Sequence, residues 1–566
     1  YHVKAIKPLP RRKLYDKVPL LDCFTAPCKD GCPIHQDIPE YIELCRKGEY
    51  ASALRLITEK NPLPFITGTI CAHNCMTKCM RNYYDEPVNI RATKLVAAER
   101  GYDDYMAKIK APVPVTDGRK VAVIGGGPTG MAAAYFVGRA GIPVTIFERS
   151  GVLGGVVRQV IPAFRISDDA IDHDVALMFK MGVEVKLNTE APSVAELKAQ
   201  GYTHIFFAVG AWKAGKLDIP GNVVPVIGWL RDMKAGKDVS LGHVAVVGGG
   251  NTAMDAARAA LRAGAKSSTL VYRRTKKYMP ADAEELEMAI ADGVEFLELV
   301  APVEQKDGKL ICEKMKLGDP DDKGRRKPVP TGEMVEIPCD TVVSAVGEKV
   351  ESEVFTRNGI TVDEKGIPAF KTNLEGVYAG GDAMRGPATV VEGIADAQYF
   401  ANAVIGEAHK FAIPAKAVAT REEAVAKKGV LCESAKCEGN RCLTCNVVCQ
   451  VCADVCPNRA NVVIELPDGR QQILHVDRMC NECGNCAVFC PYDSAPYREK
   501  FTLFLTREGF DESVNNQGFL PLGGKKVLVR LDSKVFEADL DAKNDLPADI
   551  EVFIWTVLTK YAYLMG

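Results

Sequence analysis

The 566 residues carry 71 Lys and Arg against 73 Asp and Glu, a net charge of −2, with the charges spread along the chain. Such balance argues against a binder of nucleic acid or of an anionic membrane, either of which calls for a basic excess or patch. At 47% hydrophobic and 25% charged residues the chain reads as a soluble globular protein of roughly three to five domains, and disorder is excluded for most of it.

The cysteines set the first constraint. Of 20, seven lie between Cys23 and Cys79, two stand apart at Cys312 and Cys339, and eleven lie between Cys432 and Cys490. A secreted disulfide scaffold is short and Cys-dense throughout. Cysteines clustered at two ends of a large chain predict metal sites in a reducing, cytoplasmic compartment instead. No secretory signal is visible, and because the chain opens on Tyr1 an upstream part is expected.

In chain order, residues 1–115 read as helical, with apolar positions at helical spacing through Ile38–Ile57 and cysteines at the turns. Ala111-Pro-Val-Pro-Val115 followed by Asp117-Gly118 marks a boundary. The apolar run Val121–Phe147 has Arg139 as its single charge, but its bunched glycines and β-branched ends fit strand–turn–helix–strand better than a membrane span. The expected order there is the strand Val121–Ile124, the turn Gly125-x-Gly127-x-x-Gly130, an Ala-rich helix and the strand Val144–Phe147. The same texture returns at Val244–Val247, Gly248-x-Gly250-x-x-Ala253, a second Ala-rich helix and Thr269–Tyr272, which predicts two nucleotide domains. Phe411–Lys428 reads as a linker with a helix. Past residue 500, Thr502–Leu505 and Val527–Leu531 suggest strands and Asp549–Tyr563 a final helix, with no recognisable chemical motif.

The first glycine motif has the residues a dinucleotide needs. Its glycines permit a tight turn and a close approach of backbone to pyrophosphate, the helix N-terminus favours phosphate charge, and Glu148 at the end of the second strand can accept from ribose hydroxyls. The second copy ends its strand in Val271-Tyr272-Arg273-Arg274, with no acid. Arginine there can pair with a 2′-phosphate, which favours NADP(H) over NAD(H). Asn251 and Thr252 open its helix and join the binding candidates. Further on, Thr341–Gly347 and Gly376–Asp382 are strands ending in Gly347 and in Gly381-Asp382.

In that order these segments resemble the two-dinucleotide-binding flavoproteins over residues 119–406. The resemblance implies FAD at the first unit, a nicotinamide cofactor at the inserted second unit, and a flavin contact from Asp382. Arg149, Gly154, Gly155 and Arg165 are carried as further cofactor-binding candidates. Hydride transfer from nicotinamide to flavin needs orientation more than an acid or base, so no catalytic side chain is expected, and all eight histidines read as structural.

Cys480-x2-Cys483-x2-Cys486-x3-Cys490-Pro491 is the bacterial ferredoxin spacing, in which the fourth cysteine serves the other of two clusters. Its partner is Cys445-x3-Cys449-x2-Cys452-x3-Cys456-Pro457, one residue longer in the first gap. The crossed reading puts Cys445, Cys449, Cys452 and Cys490 on one [4Fe-4S] cluster and Cys480, Cys483, Cys486 and Cys456 on the other, with Cys442 able to replace Cys445. Cys432 and Cys437 have no assignment. The N-terminal candidates are Cys23, Cys28, Cys32, Cys71, Cys75 and Cys79, around Asn61-Pro-Leu-Pro. They resemble the cluster domain of the glutamate synthase small subunit and of dihydropyrimidine dehydrogenase, where two clusters lie beside FAD. Here a family cysteine falls on Leu20 and a family Glu or Gln ligand near Lys94. Six thiolates imply one [4Fe-4S] cluster, or two with non-cysteine ligands.

The whole order resembles glutamate-synthase small-subunit-like reductases. Ile161–Arg165, Val271–Arg274, Met279-Pro-Ala281, Arg441-Cys-Leu443 and Cys480–Cys486 bring it nearest to the group labelled selenate reductase iron–sulfur subunits. The expected fold is multidomain α/β. It comprises a helical iron–sulfur domain (1–115), an FAD domain in two parts (116–240 and 339–410), a nested NAD(P)H domain (241–338), a linker (411–430), a ferredoxin-like 2[4Fe-4S] domain (431–500) and an extension (501–566). The expected activity takes hydride from NADPH onto FAD and passes single electrons through clusters to or from a larger catalytic subunit, an upstream domain or ferredoxin. A self-contained ferredoxin–NADP oxidoreductase or bifurcating transhydrogenase subunit, and a non-catalytic relay protein, are the alternatives.

Overall fold

The computed structural model describes residues 26–237, 239, 241–321, 326–406, 416–427, 438–447, 449–513 and 516–566. Cys23, Cys432 and Cys437 lie outside them. The chain divides into two compact units: one gathers 1–53, 73–93 and 414–566, the other 54–72 and 94–413.

The second unit holds two five-stranded sheets. The first runs Val377–Ala379, His204–Phe207, Val121–Ile124, Val144–Phe147, Glu184–Lys186, every neighbour parallel. The strands Val121–Ile124 and Val144–Phe147 are buried along their whole length, as apolar runs covered on both faces should be. The second sheet runs Val223–Pro225, Thr341–Ala345, His243–Gly248, Ser267–Tyr272, Glu295–Glu298, again all parallel. It therefore draws strands from both sides of the expected 241–338 segment. A three-stranded antiparallel sheet, Val300–Lys306, Lys309–Pro320 and Arg326–Pro338, follows it.

Residues 54–72 belong to this unit through specific polar contacts. Asp174, fully buried, accepts from the backbone N–H of Phe65 and Ile66 at 3.1 and 2.8 Å, which satisfies the start of the helix Pro64–Ile70. In the Asn61-Pro-Leu-Pro motif, Asn61 is fully buried and donates to Thr67 Oγ1 at 2.7 Å, while Lys60 C=O accepts from Gln398 at 2.7 Å.

The helical run expected over Ile38–Ile57 begins as Ile38–Arg46 and resumes as Tyr50–Thr58, broken at Gly48, whose φ is +77°. Beyond the cysteines, six strands form one sheet in the order Asn461–Glu465, Gln471–Val476, Thr502–Leu503, Gly518–Gly523, Lys526–Leu531, Lys534–Asp539. Its core joins Ile464 and Leu474 to Phe501, Phe519, Val529 and, from the helix Ala548–Lys560, Phe553. The sheet thus continues across residue 500. No helix among the described residues is long and apolar enough to cross a membrane.

Candidate functional site

At the first glycine turn, Gly125 has φ +105°, and a Cβ there would lie 2.4 Å from the Ala208 carbonyl oxygen. A Cβ on Gly130 would lie 2.0 Å from the Gly125 carbonyl oxygen, so only glycine lets the helix Pro128–Arg139 pack this closely on its strand. Gly127, the N-cap, is different: the nearest atom to an added Cβ is Gly155 Cα at 3.8 Å. Gly154 and Gly155, with φ of +108° and +53°, bring a second loop against it.

Glu148 is buried, with Oε2 accepting from Gly126 N–H at 2.6 Å and Oε1 from Ser150 N–H at 2.7 Å. Its carboxylate thus locks the turn, and each oxygen keeps a lone pair for a ribose hydroxyl. Gly381, at φ +64°, approaches the same helix start: a Cβ would meet Thr129 Oγ1 at 2.4 Å. Asp396, 2% exposed, accepts from Gly381 N–H at 2.9 Å and pairs with Arg385 at 2.6 Å. Beside it, Asp382 accepts from Ala388 N–H at 3.1 Å, and burial pushes its carboxyl up to about 6. Residues far apart in sequence therefore meet at one cradle of small, backbone-lined surfaces, a surface suited to pyrophosphate. Arg149 stays exposed, pairing with Glu351 at 3.3 Å and lying over the Trp212 ring.

The second turn repeats the logic. A Cβ on Gly248 would lie 2.3 Å from the Ala345 carbonyl oxygen, and one on Gly249 2.4 Å from the Tyr272 ring, whereas Gly250 has nothing within 4 Å. Asn251 Oδ1 accepts from Asp282 N–H at 3.0 Å and Gly249 C=O from Ala281 N–H at 3.0 Å, so the Met279-Pro-Ala281 segment folds over this loop. Thr252 lies in the first turn of the helix Asn251–Arg262. Arg273 is exposed, whereas Arg274 Nε donates to the Arg326 carbonyl at 3.4 Å. Arg165 is tied into a buried network instead, pairing with Glu285 and lying 3.5 Å from Asp255. Gly347, φ +110°, accepts from Gly215 N–H at 2.7 Å.

No disulfide joins the described cysteines. Cys456, Cys480, Cys483 and Cys486 are close enough for their thiols to act on one another: Cys456 and Cys483 act on Cys480, and Cys480 and Cys456 act on Cys486, although burial is the larger cause raising both. Glu482 N–H and Ala460 N–H donate to Cys480 Sγ and Cys456 Sγ at 3.3 and 3.2 Å. Cys452 and Cys486 share a small core with Ile473, and Cys490 packs on Tyr492. Near the start of the chain, Cys75, Cys32, Cys28 and Cys45 all act on the buried Tyr41 hydroxyl, which desolvation above all holds well above its ordinary value. Cys45 lacks the close cysteine spacing that marks a ligand set, so its place near Tyr41 with those cysteines emerges only from the fold. Cys71 caps the helix Pro64–Ile70. Burial raises Cys28 well above the usual thiol range, with Cys79, Cys442, Cys445 and Cys75 the next causes.

Residues 119–397 match the pyridine nucleotide-disulphide oxidoreductase family, and residues 19–104 match the dihydropyrimidine dehydrogenase domain II, 4Fe-4S cluster family. The chain is 41% identical over its whole length to a protein designated oxidoreductase YgfK of Escherichia coli K12, covering 58% of that relative. It is 37% identical to the NADPH-Fe(3+) oxidoreductase subunit beta of Geobacter sulfurreducens, over 69% of this chain and 63% of that one. It is 31% identical to the glutamate synthase [NADPH] small chain of E. coli K12, over 68% of this chain and 89% of that one. The chain thus spans less than two thirds of the first relatives it matches. FAD, a pyridine nucleotide and a 4Fe-4S cluster are the cofactors of these two domain types, and the glycine cradles and gathered thiols fit them. The chain belongs to the pyridine nucleotide-disulphide oxidoreductases that carry an N-terminal 4Fe-4S domain, together with the glutamate synthase small chain.

Proposed function

We propose that the chain is the flavin and iron–sulfur module of a larger NADPH-dependent oxidoreductase, converting two-electron transfer into single-electron steps for a partner subunit or domain. The observation that carries this reading is the pairing, in one chain, of two glycine cradles with two cysteine blocks. FAD bound there would supply hydride acceptance from a reduced pyridine nucleotide and single-electron donation, and [4Fe-4S] clusters held by the cysteine blocks would supply one-electron carriers.

The protein's own part is binding and orientation. Gly127 leaves backbone open to pyrophosphate with Gly155 packed close beside it, Glu148 offers carboxylate lone pairs to the ribose, and Asp382 stands at the start of the short helix Asp382–Arg385. Arg273, exposed at the end of its strand, supplies charge for a 2′-phosphate. The thiol set Cys456, Cys480, Cys483 and Cys486 supports a ferredoxin-like segment with crossed ligation. The names of the relatives, subunits of NADPH-Fe(3+) oxidoreductase and of glutamate synthase, support a partner that exchanges electrons with this chain. The described cysteines, none of them in a disulfide, suit a reducing, cytoplasmic setting.

The test is anaerobic purification of the chain with whatever accompanies it, followed by flavin, iron and zinc analysis and stopped-flow mixing with NADPH or NADH. One FAD and several [4Fe-4S] clusters per chain, flavin bleaching faster with NADPH, and a stoichiometric partner are expected. Zinc in place of iron, or a flavin inert to both nucleotides, overturns the reading.

A further inference from the structure

We infer that Cys28, Cys79, Cys442 and Cys445 together hold one [4Fe-4S] cluster, assembled from the first and the last cysteine blocks of the chain. All four line a single pocket. The pocket lies within one compact unit. Its remaining wall is largely apolar, with Ile38, Ile42, Met80, Val88 and Leu443 among the lining residues.

The local backbone is shaped for sulfur ligands. Thr444, between Cys442 and Cys445, has φ +52°, a strained conformation for a β-branched residue. That turn brings both cysteines of the Cys442-x2-Cys445 pair to the same pocket. The backbone of Thr444 lies near the Cys442 thiol, and that of Arg81 and Val88 near the Cys79 thiol. Arg81, 1% exposed, and Arg441, 7% exposed, bring positive charge close to Cys79. Hydrogen bonds to the sulfurs and nearby cations are the features that stabilise an anionic thiolate cluster.

The two blocks are also held together around the pocket. Arg441 donates to the Glu86 carbonyl at 2.7 Å and pairs with Asp85 at 3.3 Å, Lys427 pairs with Glu43 at 2.9 Å, and Asn446 donates to Glu40. Tyr492 donates to Asp30 at 2.9 Å. Among the described residues no three His, Cys, Asp or Glu side chains close on one point as a single ion requires. Four thiols around one pocket supply the ligand number of a [4Fe-4S] cluster.

The assignment accounts for two irregularities of spacing. Cys442, surplus to the ferredoxin pattern, becomes a ligand. The extra residue between Cys445 and Cys449 becomes the break between two Cys-x2-Cys pairs that serve different clusters, leaving Cys449, Cys452 and Cys490 to the other one. The inference rests on the iron–sulfur character of the chain, which the iron content of the unaltered protein tests separately.

The experiment measures iron, acid-labile sulfide and FAD in the anaerobically purified full chain and in Cys28→Ser, Cys442→Ser, Cys452→Ser and two double variants. Cys28→Ser and Cys442→Ser are each expected to lose about four irons per chain, and Cys28→Ser/Cys442→Ser no more than either alone. Cys442→Ser/Cys452→Ser should lose about eight, with FAD retained throughout. Full iron in Cys442→Ser, or additive loss in the Cys28/Cys442 pair, overturns the assignment while leaving the iron–sulfur reading intact. An unaltered protein without iron overturns both. Should the variants fail to fold, anomalous diffraction at the iron edge from the unaltered holoprotein decides: one iron peak contacting all four sulfurs supports the assignment, and a cluster touching Cys28 without Cys442 refutes it.

Discussion

Gly127 and Gly130 belong to one motif, yet the structure gives them separate duties, and alanine at each position divides ligand binding from folding. At Gly127 the backbone is extended, φ −75° and ψ −179°, and an added Cβ meets nothing nearer than 3.8 Å. The fold should tolerate it at the cost of a weaker N-cap, about 1 kcal/mol or less. The ligand should not. Losing one charge-assisted bond between backbone and phosphate costs roughly 1.5–3 kcal/mol, which is about 10- to 150-fold in FAD affinity. At Gly130 the added Cβ falls 2.0 Å from the Gly125 carbonyl oxygen, a backbone atom that cannot swing aside. The helix must lift from its strand, at an overpacking cost of about 1–3 kcal/mol or more, lowering the melting temperature by about 2–4 °C per kcal/mol. The assay is thermal melting of the flavin-stripped full chain beside FAD titration. Gly127→Ala is expected to melt nearly as the wild type and bind FAD weakly; Gly130→Ala is expected to melt early even without flavin. Wild-type FAD affinity in Gly127→Ala would remove the first turn as the pyrophosphate site, and unchanged melting in Gly130→Ala would refute the close packing of helix on strand.

Three further outcomes follow from the geometry. Arg273→Ala should weaken NADPH binding by about 10- to 150-fold, one charge-assisted phosphate bond, with NADH binding nearly unchanged; equal losses for both nucleotides, measured by titration, would make Arg273 structural. Gly250→Ala, where an added Cβ has nothing within 4 Å, should weaken both nucleotides while melting stays near the wild type; a large loss of melting temperature would contradict the open turn. Asp382 is raised to about 6 from an ordinary 3.8, so its stabilising share is complete below the lower value and lost as pH rises through about 6. The shift corresponds to on the order of 3 kcal/mol at neutral pH. Flavin-free Asp382→Asn should therefore gain on the wild type in melting temperature from pH 4 to pH 7, and parallel profiles would sink the buried-carboxylate account.

Local patterns read well in this chain where one segment supplies its own structure. The strands Val121–Ile124 and Val144–Phe147 carry their apolar run into a glycine turn, and they end where the residues say they should. The final helix, expected over Asp549–Tyr563, spans Ala548–Lys560. Long-range placement was less legible. Arg165, a cofactor-binding candidate from its motif, pairs its guanidinium with Glu285, 120 residues away, a contact that no local pattern announces. The break expected at residue 500 does not interrupt the terminal sheet, because Thr502–Leu503 is only two residues long and pairs in parallel with both Gln471–Val476 and Gly518–Gly523. A strand that short carries too little pattern to announce its partners.

The cysteine blocks show the same limit in its most consequential form. Spacing rules assign ligands within one loop, since a Cys-x2-Cys turn is a local object, and they leave Cys442 surplus. What joins Cys28 and Cys79 to Cys442 and Cys445 is a set of single polar clamps, Arg441 on the 85–87 turn and Lys427 on Glu43 among them, and no periodicity encodes these. Closing a loop of more than 350 residues restricts the unfolded chain by roughly 5–6 kcal/mol on the chain-entropy estimate used for cross-links. A cluster that bridges the blocks therefore stabilises their docking as well as carrying an electron, because four ligands from distant segments meet only in the folded unit. The buried Arg81 and Arg441 beside it then serve one purpose with the clamps: they hold charge and chain in place where the sulfurs converge.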